Sequence, residues 1–185
     1  MITENFKERI NYLNNNKLIV EALYEILDYL KLKHSAFTGF TFRDEIDPKG
    51  LLLTAEGDES TGITIRVPRN VLDFDLTLLS NILMHEMYHV HQRSGDNQIE
   101  TREEREWQAY TEMIFHKKFT QIPILANFYI KQFGEKALTY YAKMTDELKA
   151  KYAEEKADLE KILQTIYDKE NKPKEEPKIE NDITT

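Results

Sequence analysis

The sequence predicts an α+β protein, mostly helical, with a small antiparallel sheet of about three strands placed ahead of one central helix. Three observations carry that prediction. On both sides of residues 37–67 the apolar residues recur at helical spacing, as on the buried face of packed helices. Within 37–67 they give way to Phe, Thr, Gly and alternating Ile, broken by turn residues. The apolar run Leu76 to Gln92 then contains His85-Glu86-Met87-Tyr88-His89, with two histidines one helical turn apart.

Taken in order, Thr3 is placed to cap a helix through about Leu13, which Asn14-Asn15-Asn16 ends. A second helix is predicted from Lys17 to about Lys33, with Ile19, Val20, Leu23, Ile26, Leu27 and Leu30 as its buried stripe. Phe37, Phe40 and Phe42 open the strand region, and Asp47-Pro48-Lys49-Gly50 reads as a turn. Leu51 to Ala55 and Ile63 to Val67 read as further strands joined by the polar loop Glu56 to Gly62. Pro68 ends the second of these and suggests an edge position. Gly57 and Gly62 have phosphate-loop spacing, but Ile63-Thr64 follow where Lys-Ser/Thr is needed, so nucleotide binding is rejected. Asp73 or Asp75 caps the central helix, and Ser94-Gly95-Asp96-Asn97 turns the chain after it. Thr101-Arg102-Glu103-Glu104 has capping-box spacing and opens a helix to about Thr120. A helix from about Leu125 to Met144 is expected to kink near Gly134. The last, about Thr145 to Asp168, carries a seam of Leu148, Tyr152, Leu159, Ile162 and Ile166. That seam fits packing within the chain, or a homo-oligomer. The organisation is therefore a single domain over 1–168, with a helical extension from about 123, and a disordered tail over 169–185.

Composition narrows the classes. A charged fraction of 31% with net charge −8, and no dense Lys/Arg run, argues against nucleic acid as a partner. No apolar run approaches a membrane span, and the polar N-terminus shows no signal-peptide pattern. The absence of cysteine removes thiol catalysis and Cys-type zinc sites, and the expected location is cytoplasmic.

The chemistry points to His85, Glu86 and His89. Imidazoles at i and i+4 can share one metal ion, and the glutamate beside the first can reach a water on that ion. A catalytic zinc takes a third protein ligand and keeps one position open. The metzincin extension is excluded, because Gln92 and Gly95 stand where its Gly and His are required. The helix from Thr101 offers Glu106, which falls on the apolar face of Trp107, Tyr110, Met113 and Ile114, while Glu104 points away. Glu103, one turn earlier, is the competitor. Tyr110 is the candidate oxyanion donor, and His91, about 200° around the helix from His89, should not join the metal.

Asn81-Ile82-Leu83-Met84-His85-Glu86-Met87-Tyr88-His89-Val90, followed by Glu106-Trp107-Gln108-Ala109-Tyr110, resembles the zincin metallopeptidases. More narrowly it resembles the gluzincins, whose third ligand is a glutamate on the next helix, commonly in a Glu-x-x-Ala setting. In size and element order the chain is similar to small intracellular peptidases of the ImmA/IrrE type. The likeness covers roughly residues 61–119. It implies a zincin-like fold, a Zn2+ ion on His85, His89 and Glu106, and Glu86 as proton carrier in hydrolysis of a peptide or protein substrate. It also implies that the strand Ile63 to Val67 is the edge along which an extended peptide pairs, with Arg66 placed to meet an acidic group. The competing expectation is a non-catalytic zinc-binding or helical interaction module.

Overall fold

The computed structural model describes residues 2–44, 49–95 and 98–171. The proposed turn residues Asp47, Pro48, Asp96 and Asn97, and the tail from residue 172, lie outside the described residues. Seven α-helices and three strands are present among those described, so the protein is mixed α+β and predominantly helical. None of these helices is long and apolar enough to cross a membrane.

Helices α1 (Glu4–Asn15) and α2 (Ile19–Tyr29) form a hairpin at the start of the chain. Thr3 caps α1, its hydroxyl accepting the Phe6 N–H. Helix α2 is shorter than its apolar pattern suggests, because the chain takes a left-handed conformation at Lys17 before it and at Lys31 after it. Its buried stripe of Ala22, Leu23, Ile26 and Leu27 packs into the main core.

The sheet corrects two expectations. Strands β1 (Phe37–Arg43), β2 (Thr54–Asp58) and β3 (Gly62–Pro68) lie in the order β1-β3-β2. β1 runs parallel to β3 and β2 antiparallel to it, so the sheet is mixed, not antiparallel throughout. β3 is the central strand and not an edge. Pro68 is tolerated because it closes the ladder opposite Arg43, where a missing N–H costs little. β2 also starts three residues later than the sequence pattern and runs on to Asp58, since the β2–β3 connection is a tight hairpin and not a long loop. Gly57 makes this possible: with φ of +100°, a Cβ there would lie 2.3 Å from the Gly62 carbonyl oxygen. Ile63, Ile65 and Val67 are fully buried, on the face of β3 that meets the core.

Helix α3 (Leu76–Gln92) follows, capped by Asp75, whose carboxylate accepts the Leu78 N–H. Leu79, Leu83, Met84, Met87 and Val90 seat it in the main core with α2 and the sheet. Helix α4 (Arg102–Phe115), capped by Thr101, ends where His116 adopts φ of +46°. Helix α5 (Asn127–Ala142) is continuous, without the expected interruption at Gly134. That glycine serves packing instead. A Cβ on it would stand 2.9 Å from Leu163 and 3.2 Å from Leu159 of the final helix, so the missing side chain lets the two helices close together.

The predicted last helix divides at Tyr152 into α6 (Asp146–Lys151) and α7 (Ala153–Glu170). Leu159 and Leu163 of α7 pack on Ala137 of α5 and Trp107 of α4, in a second, smaller core of the same chain. Two cores therefore meet along α4, and the cleft described next opens between β2, α3, α4 and α5.

Candidate metal centre

His85 and His89 come from successive turns of α3, Glu86 follows His85, and all three are buried. Helix α4 crosses α3 with Glu106 facing the imidazoles. His85 Nε2 and His89 Nε2 are 3.1 Å apart, and Glu106 Oε2 lies 3.5 Å from the first and 3.8 Å from the second. These three residues form a group that could hold a metal ion. Ligands about 2.0–2.2 Å from a tetrahedral zinc stand about 3.3–3.6 Å from one another, so the triangle has the right size. Glu103, the competing carboxylate, makes no ion pair with either imidazole among the described residues.

Hydrogen bonding sets the state of His89. The Gln92 amide donates to the Arg105 carbonyl at 3.0 Å and to Gln108 Oε1 at 3.1 Å. Its own oxygen must then face His89 Nδ1, at 2.8 Å, and accept a hydrogen bond from the N–H there. With Nδ1 so engaged, Nε2 is the ring nitrogen that faces Glu106 and His85 and that can meet a cation there. The network continues outward. Gln108 Nε2 donates to the Tyr152 hydroxyl at 2.6 Å, and Tyr152 donates to Glu104 Oε1 at 2.6 Å. Lys151 Nζ reaches the same oxygen at 2.7 Å. Glu104 does turn away from the histidines, but it is buried against α6, not solvated.

Burial by itself would raise the pKa of the Glu106 carboxyl. Hydrogen bonds and charge from His85 and His89 outweigh that effect and hold it far below the usual carboxylate range. Glu106 therefore stays ionised and able to bind a cation. Glu86 does not join the triangle. Its Oε2 accepts the Ala55 N–H from β2 at 2.7 Å, and Arg93 NH1 donates to the Ala55 carbonyl at 2.7 Å. The backbone of β2 at Ala55 is thus held on both its outward-facing polar groups, by Glu86 of α3 and by Arg93 just after it. Tyr110 lies with its ring 4.4 Å from that of His85 and stacks on Tyr140 and Phe133. Its pKa is pushed up by burial and then by Glu106, so the hydroxyl remains a hydrogen-bond donor.

The cleft at this centre has a volume of about 430 Å³ and runs along Leu52 to Ala55 on one side and Tyr110, Lys136 and Tyr140 on the other. Arg66 is not part of it and stands 3.6 Å from Glu56. The sequence reading missed Ala55, Gln108, Tyr152 and the cleft cations. Only Gln92 carried a local signal, three residues after His89 on the same helix.

The remaining histidines lie elsewhere. His116 caps α4 and contacts Asn81 Oδ1 at 3.0 Å. His91 faces away from the triangle, its ring 4.2 Å from that of His34. Burial, then Lys118 and His34, lower its pKa from 6.5 to about 4. The unfolded chain binds this proton more tightly than the folded one, so the contribution is present above pH 6.5 and is lost as pH falls towards 4. Discounted for a ring that is only partly buried, the loss is about 1–2 kcal/mol. Chelator-treated His91→Gln should therefore show a shallower fall in urea stability between pH 7 and pH 4 than the parent. An equal fall in both proteins would remove His91 from the acid response.

Compared with known proteins, the chain matches no family model, no curated protein and no solved structure.

Proposed function

We propose that the protein is a zinc-dependent peptidase of the gluzincin type, acting on a peptide or protein substrate. The observation that carries this reading is the triangle of His85, His89 and Glu106 beside Glu86, set in an open cleft bordered by strand β2. His85, His89 and Glu106 would hold the ion, two neutral imidazoles and one carboxylate being a donor set that suits zinc. When bound, zinc lowers the pKa of a coordinated water and polarises the scissile carbonyl.

The chain's own groups do the rest. Glu86 is the general base: it takes a proton from the attacking water and hands it to the departing amine. The Ala55 N–H holds this carboxylate in place before the reaction. The Tyr110 hydroxyl, kept protonated, is the donor available to the developing oxyanion. An extended substrate would lie along Leu52 to Thr54, upstream of the engaged Ala55, and not along β3 as the sequence alone suggested. The likeness to cytoplasmic ImmA/IrrE-type peptidases rests on the motif and the order of elements.

The deciding experiment is metal analysis of the purified protein together with a quenched-fluorescence peptide library. One equivalent of zinc and cleavage that stops with chelator and returns with zinc are expected. Bound zinc with an uncut library would replace this reading by that of a non-catalytic zinc-binding module.

A further inference from the structure

We propose that the cleft selects substrates carrying a carboxylate near the scissile bond, with Lys136 and Arg102 as the residues that read it. The inference builds on the peptidase reading and names its substrate class.

The chain as a whole has 33 acidic and 25 basic residues, yet the charges lining the cleft are reversed in balance. Besides Glu86, Glu106 and the two histidines, the residues there that carry a full charge are Arg93, Arg102, Arg105 and Lys136. Both carboxylates are already engaged, Glu106 by the histidines and Glu86 by the Ala55 N–H. Arg93 and Arg105 are tied to main-chain carbonyls, of Ala55 and of Ile99 and Glu100, so they add fixed positive charge to the floor. The other two are positioned to meet a ligand. Arg102 is 70% exposed, with Nε 3.8 Å from Glu106 Oε1 and its guanidinium over the Tyr140 ring. Lys136 is exposed, stands 6.0 Å above the Tyr110 ring, and has no carboxylate in ion-pair range among the described residues. Tyr110 and Tyr140 stack at 5.9 Å, so the two cations lie over neighbouring rings of the cleft, one of them beside the His85 ring.

A concave site lined by one sign of charge concentrates its field and draws in the opposite sign, even on a protein of net charge −8. A zinc ion on two neutral histidines and one carboxylate would add a further positive charge. The cleft therefore favours an anion at the substrate position. A lysine point charge and an arginine fork both suit a carboxylate. That carboxylate has two sources in a peptide, an Asp or Glu side chain or the free C-terminus.

The test compares kcat/KM of the zinc-loaded protein on peptides with internal Glu and an amidated end, with Gln in its place, and with Gln and a free C-terminus. Binding of the same labelled peptides is read by anisotropy. Exposed ion pairs are weak, so a preference of about two- to fivefold is expected, carried by KM and reduced by 0.5 M salt. The arm that keeps the preference identifies the source. Lys136→Glu should remove it and Lys136→Arg should retain it, a split that general disruption would not produce. Equal values for all three peptides, or a preference that survives Lys136→Glu, would overturn the proposal. Carboxylate-dependent binding without any cleavage would support it while removing the peptidase reading, and cleavage without preference would do the reverse.

Discussion

Replacing Glu86 with glutamine is expected to lower peptide hydrolysis by about 10²–10⁴-fold while leaving one equivalent of zinc bound. Glutamine has the size of glutamate and can still accept the Ala55 N–H through its amide oxygen, so β2 and the cleft keep their shape. What is lost is the ability to take up and return a proton. Glu106→Ala makes the contrast. It removes one corner of the ligand triangle, so metal and turnover should be lost together. Loss of an outer-shell partner alone typically costs about 10–100-fold in affinity, and a ligand costs more. Measuring zinc content and turnover on both variants separates proton transfer from metal binding. A Glu86→Gln protein that hydrolyses peptides at the parental rate would end the role given to that residue.

The second large effect concerns stability. Trp107→Ala is expected to destabilise the fold by about 3–5 kcal/mol, a large share of the roughly 5–15 kcal/mol available to a domain. Trp107 is fully buried, packs with Ala137, Met144, Leu159 and Leu163, and lies beside the rings of Tyr141 and Tyr152. Nothing small could fill that volume without moving three helices. Because Trp107 lies between Glu106 and Gln108 in sequence, it also fixes the rotation of α4 that presents both to the histidines. Denaturation should be followed by far-UV circular dichroism, since the variant loses the chain's one tryptophan. A loss below about 1 kcal/mol would mean that the second core does not depend on this side chain.

The two effects mark what could and could not be read in the sequence. Local signals were legible. Asp75 and Thr101 cap α3 and α4, and the helical angle put Glu106 on a buried face, because capping and periodicity depend only on near neighbours. Non-local features were not. The parallel pairing of Phe37–Arg43 with β3 skips over β2, and no turn residue announces it. Glu104 looks like a surface charge until Lys151 and Tyr152, some 47 and 48 positions later, close over it. The cleft cations appear as ordinary solvated residues in the chain. Only the approach of α4, α5 and β2 brings them into one cleft.

The close contact at Gly134 bears on that cleft. Helix α5 is one continuous helix, with Leu159 and Leu163 against its back and Lys136 and Tyr140 on its front. How far the helix stands from the histidines is thus decided partly from behind, at a backbone position that no substrate ever touches. An absent methyl group has a share in the aperture of the cavity.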